Sequence, residues 1–347
     1  MTDDTPRSPL IPGKPPRKPG SKRGYILLAT LVVLVIALWS GYWTVARGMV
    51  SDLFTTMRLA AKAEGGEIAC TDQDLGGFPF RFELSCKPLA VTGLGGERAS
   101  FEGFRAVALA YNPWHVIVEA DSPAAVETDR LVPGLKAAWT TARASLRLGN
   151  SDLDRGDIEI VSPVFSLADD SLSASAVLAN LHLRKSPDVA GAADAALRLD
   201  ELALPGTAAP VDVLANVGLA GGAALLAPHG ADVIALLKNE GALTVRELRL
   251  ASGGVTLSAN GSLWLDEAGR LNGTLPLTVA GAAGLPPLLA PFFPQGSNVP
   301  TSLAGALAAF GQPTTLDGEP AVTVPLAFAE GTARVGFIPV GTLPPLR

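Results

Sequence analysis

The sequence predicts a mainly β fold with a few helices. A single N-terminal transmembrane helix leads into an antiparallel sheet, elongated or curved, in one body or two lobes. Three observations carry this. One stretch free of Lys, Arg, Asp and Glu, Tyr25 to Ala46, follows a basic tail. Beyond Gly66 apolar residues recur at every second position, the period of a strand with one buried face. Clusters of Gly, Asn and Asp punctuate those runs as turns do.

Residues 1–23 hold six basic and two acidic side chains, with Pro9, Pro12, Pro15, Pro16 and Pro19 among them. That composition predicts a disordered tail. Residues 24–46 fit a membrane anchor, since about 20 apolar residues span the hydrocarbon core. Arg7, Lys14, Arg17, Lys18, Lys22 and Arg23 precede the stretch, and Trp39, Tyr42 and Trp43 end it. A basic flank on one side and aromatic residues on the other put the N-terminus in the cytoplasm and the bulk of the chain outside. A cleaved secretory signal, cut after Thr44-Val45-Ala46, is the alternative, and either reading exports the same domain. Residues 47–66 continue as a stalk helix. Trp43, Ala46, Val50, Leu53, Phe54, Met57, Ala60 and Ala61 recur at three- and four-residue steps, as on a helix packed against the domain. Gly65-Gly66 ends it.

A first β-rich lobe is expected over 67–205 and a second over 206–347, with a seam at Pro205-Gly206-Thr207-Ala208-Ala209-Pro210. Phe80, Phe82, Leu84 and Cys86 alternate with Arg81, Glu83 and Ser85, and Pro79 marks a strand start or an edge. Val107, Leu109 and Tyr111 alternate with alanines up to a break at Asn112-Pro113, and Trp114 to Val118 form a short apolar run. Leu131 to Ala144, after Pro133, reads as a short helix. Two hairpins follow. Val255 to Leu265 returns through Leu271 to Val279 around Asp266-Glu267-Ala268-Gly269, and Val322 to Phe328 returns through Ala333 to Phe337 around Glu330-Gly331. Short helices are expected at Gly230 to Asn239 and Leu285 to Phe293.

The tail is net +4 in a chain of net −6, so the remainder is close to −10. Such a domain has no basic footprint for nucleic acid, which is excluded as a partner. Cys70 and Cys86 are the two cysteines of an exported domain, so a structural disulfide is expected. Closing that loop stabilises by about 3 kcal/mol. The histidines His115, His182 and His229 stand in no ligand-spaced set, and His115 and His182 read as satisfied sheet residues. No nucleophile elbow or phosphate-cradling loop is present. The acidic groups Asp169-Asp170, Asp152-Asp154-Asp157 and Asp266-Glu267 read as solvated turns. Asn260-Gly261 and Asn272-Gly273 read as bulges or bends. No enzyme activity, catalytic residue, metal site or cofactor is expected.

Gly77-Phe78-Pro79-Phe80-Arg81-Phe82, Tyr111-Asn112-Pro113-Trp114-His115-Val116-Ile117 and the closing Val335-Gly336-Phe337-Ile338-Pro339-Val340 with Leu343-Pro344 carry a resemblance. In these segments the chain resembles the alphaproteobacterial domain-of-unknown-function family 2125. The family's plan, one anchor followed by long amphipathic sheet, is similar to that of AsmA-like envelope proteins, which are associated with lipid movement and outer-membrane integrity. The resemblance implies an inner-membrane, single-pass protein with most of its chain in the periplasm.

Two functions are expected from different classes. The first is a lipid-handling module whose apolar face holds acyl chains of phospholipid, with Phe80, Phe82, Leu257, Leu263, Leu275, Leu277 and Phe328 as groove candidates. Each methylene buried contributes about 0.8 kcal/mol, so such a groove needs no catalytic group. The same residues fit an ordinary core equally well. The second is a scaffold for envelope proteins, contacting a partner through Tyr111 and Trp114.

Overall fold

A computed structural model describes residues 22–346, apart from 94–97, 128–134, 151, 168–172, 206–208, 228–229, 291–292, 294–295 and 337. The predicted tail thus lies almost wholly outside the described residues. The chain divides into two compact units, residues 1–48 and 49–347.

Helix α1 (Lys22–Ala63) is continuous. It is long and apolar enough to cross a membrane, and its large apolar side chains from Tyr25 to Leu38 face outward. It ends where Gly65 takes a φ of 88° and the Gly66 N–H donates to the Ala61 carbonyl at 2.8 Å, a left-handed glycine closing the last turn. Along the stalk Val50, Phe54 and Ala61 are partly buried, while Leu53 and Met57 are 61% and 53% exposed. The strand that follows, β1 (Glu67–Cys70), is four residues long. Arg58 Nε reaches the Ile68 carbonyl at 3.2 Å.

Short strands follow: β2 (Asp74–Gly76), β3 (Arg81–Cys86) and β4 (Leu89–Thr92). The Cys70–Cys86 disulfide joins β1 to β3 across a Cα separation of 5.2 Å. Two long strands come next, β5 (Arg98–Leu109) and β6 (Asn112–Glu127). After them stand β7 (Leu135–Ala138), β8 (Thr141–Leu148), β9 (Leu153–Val161), β10 (Val164–Ser166) and β11 (Ser173–Ser175). The middle of the chain gives β12 (Leu178–Lys185), β13 (Ala193–Leu202) and β14 (Val211–Leu219), then a 3-10 turn at Gly222–Leu226 and helix α2 (Val233–Leu237). Strands β15 (Leu243–Ser252), β16 (Val255–Leu265) and β17 (Leu271–Ala280) precede α3 (Leu285–Leu289) and α4 (Val299–Phe310). The chain closes with β18 (Gln312–Leu316), β19 (Glu319–Ala329), β20 (Thr332–Val335) and β21 (Ile338–Thr342).

All the strands belong to one antiparallel sheet. Its spine runs β3–β5–β6–β8–β9–β12–β13–β14–β15–β16–β17–β19–β20, nearly in chain order. β4 takes the other end of β5 beside β3, and β7 extends the far end of β6 toward β10. Among the described residues no pairing joins the outer edges, so the sheet is open and not a barrel. It also passes unbroken through the expected seam, since β13 pairs β14 from Ala193↔Leu219 to Leu202↔Val211.

The predicted hairpins are β16–β17 and β19–β20. The predicted helix over 131–144 is overturned from residue 135 on, where β7 and β8 stand instead. Ala142, Ala144 and Leu146 alternate with Arg143, Ser145 and Arg147, and pairing with β6 on one side and β9 on the other fixes the strand period. The break expected at Asn112-Pro113 is the start of β6. A register shift leaves Pro113 without a β5 partner, so its missing N–H costs no rung of that ladder. At the expected bends, Gly261 and Gly273 take φ of 149° and 129°, and a Cβ on either would strike the opposite strand's backbone.

The hydrophobic core lies at the C-terminal end, where α3 and α4 cover one face of the sheet. Leu285, Leu288, Leu303 and Leu307 pack with Leu257, Leu277, Val279 and Val324. Deleting the Leu307 side chain, which is 1% exposed, should cost about 2–5 kcal/mol in urea unfolding of Leu307→Ala. Leu181, on β12 and 37% exposed, should cost about 1 kcal/mol or less in Leu181→Ala. Equal costs would mean that β12 is covered as β16 is.

Candidate functional site

Side chains directly opposite in an antiparallel pair stand on the same face. Following the register strand by strand therefore traces rows across the sheet. One row reads Cys86, Phe104, Ala120, Ala142, Ile160, Ala179, Leu199, Val213, Leu250, Leu257, Val279, Val322, one residue from each of twelve strands. The next, two residues along, runs from Leu84 through Val118, Ile158, Leu181, Leu197 and Leu248 to Leu277 and Val324. A third joins Phe82, Val116, Leu146, Leu183, Val217 and Val245. No polar side chain interrupts any of them. At about 4.8 Å per strand, the longer rows extend about 50 Å.

These rows are mostly buried at their first strand and at the helix-covered end, and partly exposed between. From β15 to β19 they lie in the helix-covered core. Between β5 and β13 their side chains are partly exposed, with Ile158 and Leu181 at 37%. Among the described residues no helix packs closely over β5, β6, β8 or β9, and the 3-10 turn at Gly222–Leu226 lies against β12, β13 and α2. The open stretch measures about 25 Å across its six strands. An acyl chain in one leaflet occupies about 15 Å, half of the hydrocarbon core.

The opposite face is polar and charged. Arg105, Glu119 and Arg143 alternate in sign across β5, β6 and β8, with Arg143 Nε 2.9 Å from Glu119 Oε1 and Arg105 Nη1 3.7 Å from Glu119 Oε2. Each exposed pair is worth little. Their joint effect is to assign this face to water. Asp194 is the one buried charged residue among those described. Arg246, in a bulge of β15, crosses β14 where Gly218 leaves room, and its Nη2 reaches Asp194 Oδ1 at 2.6 Å. Arg184 Nη2 stands 3.3 Å from the other carboxylate oxygen. Burial pushes the Asp194 carboxyl up, but the hydrogen bond and charge of Arg246 outweigh it and hold the group below the ordinary carboxylate range.

The groove candidates read from the sequence occupy the same face but mostly its closed part. Leu257, Leu263, Leu275 and Leu277 are 4–9% exposed within the core, and Phe328 packs against it. Phe82 is 4% exposed at the first strand of the rows, while Phe80, just ahead of β3, is 62% exposed. The open residues Ile158, Leu181, Leu183, Leu197 and Leu199 were not singled out by sequence reasoning, because their strands are short of aromatics. Their signal was the unbroken alternation with Arg155, Asp157, His182, Arg184 and Arg198, together with the lack of any predicted helix between β8 and β14.

Tyr111 and Trp114 are 68% and 58% exposed at the β5–β6 hairpin. Trp114 borders a surface depression of about 770 Å³, on whose wall Lys185 Nζ donates to Asp152 and Asp154 at 2.6 and 2.8 Å. His115 Nε2 lies 2.8 Å from Ser145 Oγ, and His182 Nδ1 lies 2.7 Å from Asp157 Oδ1. His229 and Asp169-Asp170 lie outside the described residues. Asp266 accepts from the Ala268 and Arg270 backbone N–H groups, as a turn aspartate does. Among the described residues no three His, Cys, Asp or Glu side chains gather as metal ligands would.

Because Asp194 titrates lower folded than unfolded, its stabilisation is present at neutral pH and is lost as pH falls below about 4. Asp194→Asn should destabilise by about 1–3 kcal/mol at pH 7. In melts from pH 7 to 3 the variant should also lose less stability than the parent. An unchanged acid-side slope would contradict this assignment.

No curated protein and no solved structure matches the chain. A family model does, over residues 43–344. The match covers nearly all of the sequence beyond the apolar stretch, including every strand traced above. The chain belongs to the bacterial family described as an uncharacterized protein conserved in bacteria, DUF2125.

Proposed function

We propose that this is a non-enzymatic, membrane-anchored protein whose open apolar face, from β5 to β13, holds acyl chains of phospholipid on the far side of the inner membrane, in maintenance of the cell envelope. The observation that carries the reading is the set of uninterrupted apolar rows, partly exposed from β5 to β13 among the described residues while a charged face lies behind them. A soluble protein of this size normally buries such a surface or reserves it for a partner. Every methylene laid on it contributes about 0.8 kcal/mol, so a chain of ordinary length is held without a polar contact. The anchor and the disulfide support the location. α1 has the length and composition to span a bilayer, and a Cys70–Cys86 bridge suits an oxidising compartment. The scaffold reading draws on the exposure of Tyr111 and Trp114.

Native mass spectrometry of the detergent-extracted full chain should release bound phospholipid. Leu181→Asp, which places a charge in the middle of the open rows, should abolish that release and leave the melting temperature nearly unchanged. Lipid-free parent spectra from a folded sample would overturn the reading. The location has its own check: a periplasm-dependent phosphatase fused at the C-terminus should be active, and an inactive fusion beside an active cytoplasmic reporter would reverse the topology.

A further inference from the structure

We propose that the end of the sheet built by the β2–β3 turn and the β5–β6 hairpin dips into the headgroup layer of the bilayer and there opens the apolar face to lipid. This rests on the acyl-chain reading above. Four large aromatics gather at that end. Phe78, Phe80, Tyr111 and Trp114 are 57%, 62%, 68% and 58% exposed. The Ala110 N–H donates to the Phe80 carbonyl at 2.8 Å, so the segment before β3 lies against the hairpin that carries Tyr111. Phe80 continues the alternation of Phe82, and Trp114 that of Val116, so both prolong the apolar rows to the rim of the sheet.

Aromatic rings of this size bury 150–250 Å² each in an ordinary site, so leaving more than half of each of four exposed is a costly arrangement. Trp and Tyr settle where one end of the ring is apolar and the other wet, which is the headgroup layer. The tether makes that layer the nearest such surface. Glu67, Thr92 and Arg98 stand together at one end of the β1–β4–β5 ladder, beside the end of α1. The aromatic end lies beyond Leu109, about 36 Å away along β5. The part of α1 past the apolar stretch, from Ala46 to Ala63, is only about 25 Å long. The lever is longer than the stalk, so the aromatic end has the reach to touch the bilayer that anchors it.

Both cysteines are in the disulfide, so Tyr111→Cys in the full chain takes a thiol-reactive NBD fluorophore at one position. The protein is reconstituted in phosphatidylcholine–phosphatidylglycerol vesicles, with or without bromine near the glycerol end of the acyl chains. The label should shift to the blue, be quenched by the bromolipid and lose its quenching by iodide. The same label at the exposed Thr314→Cys on β18 should do none of these. A Tyr111 label as open to iodide in vesicles as in detergent would overturn docking, and so would a photo-crosslinker at Tyr111 that yields a protein adduct rather than a lipid adduct. A crosslinker at Leu181 separates the two claims. Lipid adducts there with a water-exposed Tyr111 label sink the docking alone. An embedded label without lipid at Leu181 supports docking and sinks the acyl-chain reading.

Discussion

In an antiparallel ladder a one-residue slip carries every side chain of a strand to the opposite face, and this sheet holds one phase over twelve consecutive strands of its spine. Everything else depends on that constancy. At the β15 shift the extra residue is absorbed without mixing the faces. The β15 bulge sets Arg246-Glu247 opposite the single residue Asn260 of β16, and the apolar neighbours Val245 and Leu248 both stay with the rows. The inserted Arg246 is turned to the polar side, where it meets Asp194. The bulge thus preserves the apolar face and supplies the partner of the buried carboxylate in one step.

The two ends of the sheet solve the same burial problem differently. After β17 the chain spends about thirty residues on α3 and α4 before returning at β18, and those helices seal Leu257, Leu277 and Val324 into a core. Between β5 and β14 the described connections are turns that supply no covering helix. The rows therefore continue from a region that helices cover to one where none of the described helices does, and where exposure to water costs about 25 cal/mol per Å². The closed end supplies the stability that lets the other end stay open. The charged face behind fixes which side meets water.

Much of this was legible in the sequence. The long apolar helix, the disulfide and the two C-terminal hairpins follow from hydropathy, cysteine spacing and period two, which are local signals. The groove candidates share the face of the partly exposed rows but lie mostly at its covered end. Leu257, Leu263, Leu275 and Leu277 have the cleanest alternation because their strands are the ones that enter the core. What the sequence does not display is adjacency across strands. Ile158, Leu181 and Leu197 become one surface only through the registers of β9, β12 and β13. The helix wrongly expected over 131–144 has the same origin, because alanine and leucine spaced for a strand also satisfy a helix when the flanking partners are unknown. Helix α4 escaped notice for the reverse reason. Its Val299-Pro300 start and Leu303-Ala306-Leu307 face sit among small residues that carry little period of their own.

The central claim is that protein does not cover the apolar rows between β5 and β13. An experimental density map of the full chain, purified from membranes in mild detergent, tests it most directly. The account predicts elongated, non-protein density lying across Ile158, Leu181 and Leu197, parallel to the rows and absent from the charged face. A map in which a segment of the chain itself packs over those three side chains would contradict it.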